Sequence, residues 1–183
     1  MFPGQGSQFI GMGKELAQEF PVAKKTFYKA NDILGMDLSS LIFNGNTAVL
    51  EKTEITQPAI LATSVAILNV LSTYGIKPRA VAGLSLGEYS ALVAAGSIKF
   101  EDALHLVQKR GKFMQEAVPP GIGCMAAIMG LTRDSLIEVC KKVTKFGIVE
   151  PANYNSPGQI VISGEKKQLK KRLSLLKKPE PNV

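Results

Sequence analysis

The 183-residue sequence predicts an α/β fold on three observations. Segments with helical periodicity alternate with short apolar segments bounded by turn residues. One of these, Ala80-Val81-Ala82-Gly83-Leu84, runs directly into Gly83-Leu84-Ser85-Leu86-Gly87, the signature of a strand that turns sharply into a helix. After Pro119-Pro120-Gly121 the pattern changes to strand, helix, strand, strand, helix, a smaller α+β unit lacking its last strand. The predicted boundary lies near Val118, with a larger domain over 1–117 and a smaller one over 118–183.

In chain order, residues 22–34 form an amphipathic helix stopped by Gly35. Pro58 fits the first turn of a helix running through Ala59 to about Ser72, with Gly75 as its cap and Pro78 beyond. The strand 80–84 follows, then a small-residue helix from Leu86 to Ala95 ended by Gly96. The next helix, Phe100 to Ala117, opens with Glu101 and Asp102, where the helix dipole favours acids. Beyond the proline pair come a strand (125–131), a helix (132–143), a strand (148–153), a turn at Asn155-Ser156-Pro157-Gly158, a strand (159–163) and a Lys-rich helix.

Composition excludes several classes. An apolar share of 45% with 20% charged residues is that of a globular chain. No uninterrupted apolar run approaches the roughly 18 residues of a membrane span, and Met1-Phe2-Pro3-Gly4-Gln5-Gly6 has neither the basic nor the apolar region of a secretory signal, so the cytoplasm is the expected location. Cys124 and Cys140 show no metal-ligand spacing and read as small buried apolar residues, and no metal site is expected. The net charge of +7 is concentrated: residues 165–183 hold seven Lys or Arg against Glu165 and Glu180, which leaves +2 for the rest. Without aromatic interleaving or a recognised motif, that run does not indicate nucleic-acid binding.

Three features carry possible chemistry. In Gly-x-Ser-x-Gly the glycines tolerate a crowded turn that holds the serine out at a helix N-terminus, so Ser85 is the candidate nucleophile. The Leu86 backbone N–H then faces the position of a developing oxyanion. Gly4-Gln5-Gly6-Ser7-Gln8 has no following Gly-Lys-Ser/Thr and is not a phosphate loop; it is either an anion-binding backbone turn or a plain structural one. Arg110 falls in line with Ala103, Val107 and Met114 on one helical face, and an arginine on an apolar stripe needs an anionic partner. That partner is either an internal carboxylate or a substrate carboxylate. The single histidine, His105, lies about 140° around the same helix, among Glu101, Asp102, Gln108, Lys109 and Lys112 on a solvated face. A serine nucleophile needs an adjacent base, and His105 is not placed to be one.

Taken together, Phe2-Pro3-Gly4-Gln5-Gly6-Ser7-Gln8, Thr56-Gln57-Pro58-Ala59, Gly83-Leu84-Ser85-Leu86-Gly87-Glu88-Tyr89-Ser90-Ala91, Arg110-Gly111-Lys112-Phe113-Met114-Gln115 and Asn155-Ser156-Pro157-Gly158-Gln159 resemble the malonyl-CoA:acyl carrier protein transacylases of bacterial fatty-acid synthesis. The resemblance covers residues 2 to about 166. It implies an α/β-hydrolase-like large domain, incomplete here, with a ferredoxin-like small one. It further implies malonyl transfer from malonyl-CoA through Ser85 to the phosphopantetheine thiol of acyl carrier protein. In that scheme Arg110 binds the malonyl carboxylate, Gln57 lines the pocket, and the backbone at Gln5 and Leu86 forms the oxyanion hole. The expected partners are malonyl-CoA and the carrier protein, with no nucleic acid, no membrane and no cofactor beyond the coenzyme A thioester substrate. The family's leading strand and its histidine-bearing segment have no counterpart, and residues 167–183 depart from the pattern, so the chain reads as truncated at both ends. Loss of one member of a serine triad costs about 10⁴–10⁶ in rate, so little activity is expected of the chain alone. A generic serine esterase and a non-catalytic carrier-protein-binding fragment are the competing readings.

Overall fold

The computed structural model describes residues 1–118, 121–144, 147–166 and 169. The chain divides into two compact units, Met1–Glu116 and Ala117–Val183. The first is built of helices: α1 (Lys14–Glu19), α2 (Pro21–Leu34), α3 (Leu38–Asn44), α4 (Thr47–Leu50), α5 (Thr53–Thr73), α6 (Gly87–Ala94) and α7 (Phe100–Ala117), the last running up to the boundary.

The core helix is α5, in which every residue from Thr56 to Ala66 is buried. A helix apolar on all sides has no solvent face to present and is packed around by others. Leu61 on α5, Phe27 on α2, Leu38 and Ile42 on α3, and Leu104 and Val107 on α7 belong to one buried cluster, within which Phe27 and Phe43 meet edge to face at 4.9 Å. By length and a mean hydropathy of 1.5, α5 also passes for a membrane span, although Thr, Ser and Asn interrupt its apolar run. With 67% of that stretch buried inside the protein, it serves as the core of a globular unit.

The helix also begins earlier than Pro58 predicts. The Lys52 carbonyl accepts from both the Ile55 and Thr56 N–H groups, and the Thr56 hydroxyl donates back to the Leu50 carbonyl at 2.5 Å. Helical turns are thus secured ahead of Pro58, whose missing N–H forgoes a single intrahelical bond. The strand predicted over 80–84 is reduced to one parallel bridge between Phe2 and Gly83, in which Phe2 N–H donates to the Ala82 carbonyl at 2.8 Å. A strand exists only where a partner pairs with it, and among the described residues Phe2 alone does so.

The second unit pairs β1 (Gly123–Met129), β2 (Val149–Ser156) and β3 (Gln159–Glu165) in an antiparallel sheet ordered β1-β3-β2, with α8 (Arg133–Thr144) between β1 and β2 in sequence. Ser156 and Gln159 are cross-strand partners, so the β2–β3 hairpin turns on Pro157-Gly158, as the turn residues predict. Ile160 and Ile162 of β3 are buried with Ile128, Leu136, Cys140 and Val149. Cys140 is the small buried apolar residue expected of it, and burial pushes its thiol pKa up. Cys124 is only half-buried. Of the basic tail predicted over 167–183, all but Leu169 lies outside the described residues.

Two stability outcomes follow. Leu61→Ala removes methyl groups from a fully buried position and should lower the unfolding free energy by about 2–5 kcal/mol in urea titrations. Asp37 caps α3 and accepts hydrogen bonds from Ser40, Ser39 and Asn31, which hold its carboxyl below the ordinary 3.8, Ser40 contributing most. Because the folded value is depressed, this stabilisation is present above the unfolded value and is lost as pH falls through the folded one. Asp37→Asn should therefore lower the urea midpoint at pH 7, with the difference from the unchanged chain closing as pH drops below about 3.8.

Candidate active site

Ser85 lies at the turn where the Phe2–Gly83 bridge ends and α6 begins. Its φ of 53° makes it the only non-glycine residue with positive φ among those described. For an L-residue this left-handed conformation costs about 1–2 kcal/mol, so the surroundings must hold it there. They do so through the two flanking glycines. A Cβ on Gly83 would run into the Gly87 carbonyl, and a Cβ on Gly87 would strike the carbonyls of Phe2 and Pro3. The Gly-x-Ser-x-Gly spacing is therefore a record of two backbone contacts that leave no room for a side chain.

The same contacts lay the 2–5 segment across the N-terminal end of α6. Neither the Gln5 nor the Leu86 backbone N–H donates a hydrogen bond to any described residue. Both are backbone donors left open beside a helix N-terminus, where partial positive charge accumulates.

Arg110 comes to Ser85 from α7. Gly111 permits this, because α7 lies so close on the start of α5 that a Cβ there would sit 2.6 Å from the Thr53 carbonyl. Arg110 donates from one terminal nitrogen to Ser85 Oγ at 3.0 Å and from the other to Gln57 Oε1 at 2.9 Å. Its guanidinium also lies 5.7 Å from the centre of the Tyr89 ring. All three partners are neutral. The described ion pairs are Lys29 with Glu101 and Lys112 with Glu116, so among the described residues no carboxylate pairs with this half-buried arginine.

Gln57 is wholly buried on the first turns of α5. Its amide nitrogen faces Gln5 Oε1 at 3.5 Å and Met114 Sδ at 3.3 Å, and Gln5 Nε2 reaches Thr53 Oγ1 at 3.5 Å. The structure thus brings Gln5, Gln57, Ser85, Leu86 and Arg110 to one place. His105 is exposed on α7, and Ser85 takes its hydrogen bond from Arg110 and not from a histidine. Tyr89 and Thr53 are neighbours that the sequence reasoning assigned no role. The only signal for Tyr89 is its place in the first turn of the helix that follows Ser85. Thr53 carried none, because its contact with Gln5 spans unrelated segments. Among the described residues no cluster of His, Cys, Asp and Glu could hold a metal ion.

The acyl transferase domain family matches residues 1–182. The malonyl CoA-acyl carrier protein transacylase of Bacillus subtilis is 56% identical over 168 residues, covering 91% of this chain and 53% of that protein. The crystal structure of the malonyl CoA-acyl carrier protein transacylase from Clostridium perfringens superposes with a TM-score of 0.89 at 51% identity, covering 96% of this chain and 55% of the other. A malonyl-transacylase in complex with its type II PKS acyl-carrier protein superposes at 0.88 with 52% identity, covering 96% of this chain and 57% of that one. The chain spans little more than half the length of these relatives. It belongs to the acyl transferase domain family and, within that family, is similar to the malonyl CoA-acyl carrier protein transacylases.

Proposed function

We propose that the chain carries the acyl-binding and nucleophilic part of a malonyl-CoA:acyl carrier protein transacylase. The observation that carries this reading is Arg110: a half-buried guanidinium bonded to the candidate nucleophile, with only neutral partners among the described residues. A charge so placed is uncompensated until an anion arrives, and a planar fork fits a carboxylate best. An acyl group with a free carboxylate, such as malonyl, would supply that anion a few bonds from the carbonyl that Ser85 attacks.

In the first half-reaction Ser85 Oγ forms a bond to the thioester carbonyl carbon, and the Gln5 and Leu86 N–H groups stabilise the oxyanion. The carbonyl re-forms as the C–S bond breaks, and the coenzyme A thiolate leaves, taking up the proton released from the serine. In the second, the sulfur of the carrier protein's phosphopantetheine thiol bonds to the ester carbonyl carbon, the bond to Ser85 Oγ breaks, and the thiol's proton passes to Oγ, leaving the malonyl thioester and free Ser85. No cofactor beyond the thioester substrate enters the scheme. No described residue offers a base to Ser85, and the resemblance assigns that role to the family's histidine-bearing segment. On this reading the first unit is part of an α/β-hydrolase-like large domain, the second is a ferredoxin-like subdomain, and the protein works in the cytoplasm.

Incubation with malonyl-CoA followed by intact mass spectrometry should show one malonyl adduct, mapped by peptide sequencing to Ser85 and absent from Ser85→Ala. A charge-assisted carboxylate contact contributes about 1.5–3 kcal/mol, so Arg110→Ala should lower malonyl labelling about 10- to 100-fold while acetyl-CoA labelling changes by less than about threefold. Hydrolysis of neutral esters without a malonyl adduct would show an esterase instead, and the absence of any adduct would favour a carrier-binding fragment.

A further inference from the structure

We infer that Gln57 is a positioning residue that sets acyl selectivity: it orients Arg110 toward the acyl site while leaving its charge uncompensated. This rests on the reading of Arg110 as the carboxylate-binding group.

Gln57 is fully buried, so water cannot satisfy its amide, and each polar atom is committed to a protein partner. Oε1 accepts from Arg110, while Nε2 faces two acceptors, Gln5 Oε1 and Met114 Sδ. The amide therefore has one acceptable orientation. Turned over, its NH₂ would oppose the guanidinium NH₂ and its oxygen would face the Gln5 oxygen, two repulsive pairings at once. With one arm of the guanidinium held in this way, the other points at Ser85 Oγ. The interaction also runs onward through Gln5 to Thr53, tying the carboxylate-binding arm to the segment that presents the Gln5 N–H.

The neutrality of the residue matters as much as its shape. A glutamate at 57 would make the same geometric contact but would form the internal ion pair that Arg110 lacks, and so compete directly with a substrate carboxylate. A glutamine orients the charge without consuming it.

The test uses the full chain in a Ser85→Ala background, so that binding is not followed by transfer, and compares equilibrium affinities for malonyl-CoA and acetyl-CoA by calorimetry. Gln57→Glu should weaken malonyl-CoA binding at least about tenfold and leave acetyl-CoA binding within about twofold, so that the preference collapses. Arg110→Ala, measured alongside, should abolish the preference as well. If Gln57→Glu keeps the preference while Arg110→Ala loses it, or if both ligands weaken equally in Gln57→Glu, the role of Gln57 is overturned and that of Arg110 stands. If Arg110→Ala keeps the preference, or the parent chain has none, the carboxylate reading fails and this inference with it. Thermal unfolding monitors folding. Should Gln57→Glu not fold, Gln57→Leu, apolar and without any atom to accept from Arg110, decides by the same ratio, which is expected to fall and overturns the inference if unchanged.

Discussion

The contact that organises the first unit's site is made by backbone alone. Gly87 lies against the carbonyls of Phe2 and Pro3, and Gly83 lies against Gly87, with no space at either for a methyl group. This crowding turns the chain sharply enough to force Ser85 into a left-handed conformation and to present it at the start of α6. It also brings in the 2–5 segment, and with it the Gln5 N–H, as a second open donor beside that of Leu86. The strain at one residue is thus held in place by contacts several residues away, which is the usual arrangement where a backbone outlier belongs to a reactive site.

Around this turn the electrostatics are one-sided. Arg110 brings a positive charge into a partly buried place, and its partners among the described residues supply oxygens and a ring face but no counter-charge. A carboxylate binding to Arg110 would compete with Ser85 for the same guanidinium nitrogen. Since α7 approaches the start of α5 only because residue 111 is glycine, the placement of the charge again depends on a backbone contact. The long buried helix α5 provides the fixed surface for both, with Thr53 and Gln57 on its opening turns and the hydrophobic core on the remainder.

Much of this was legible in the residue order, for identifiable reasons. The helix from about Phe100 to Ala117 was readable because an acidic first turn and a proline pair bracket it. The Gly35, Gly75 and Gly96 stops were readable because glycine takes the left-handed turn after a helix without a Cβ penalty, and each has positive φ. The start of α5 was not, since Pro58 gives a strong helix-start signal and the bonds that override it come from Leu50 and Lys52, outside the apparent pattern. The strand before Ser85 was over-read for a different reason. An apolar run states a capacity to pair, whereas pairing depends on which other segment arrives, and here Phe2 is the single described partner.

By itself the sequence determined the glycine-flanked serine, the register of Arg110 on its helix and the change of pattern after residue 118, because each is a local property of spacing and residue type. It left open whether Arg110 is neutralised internally, what Gln57 does, and whether the Gly4–Gln8 turn takes part. The tertiary structure bears on the first, since the partners it gives Arg110 among the described residues are neutral, and it places Gln57 and Gln5 in hydrogen-bonding range of each other. The physical reason for the division is range. Conformational preference acts over a few neighbouring residues, whereas an uncompensated charge is a statement about every group that could have reached it from elsewhere in the chain.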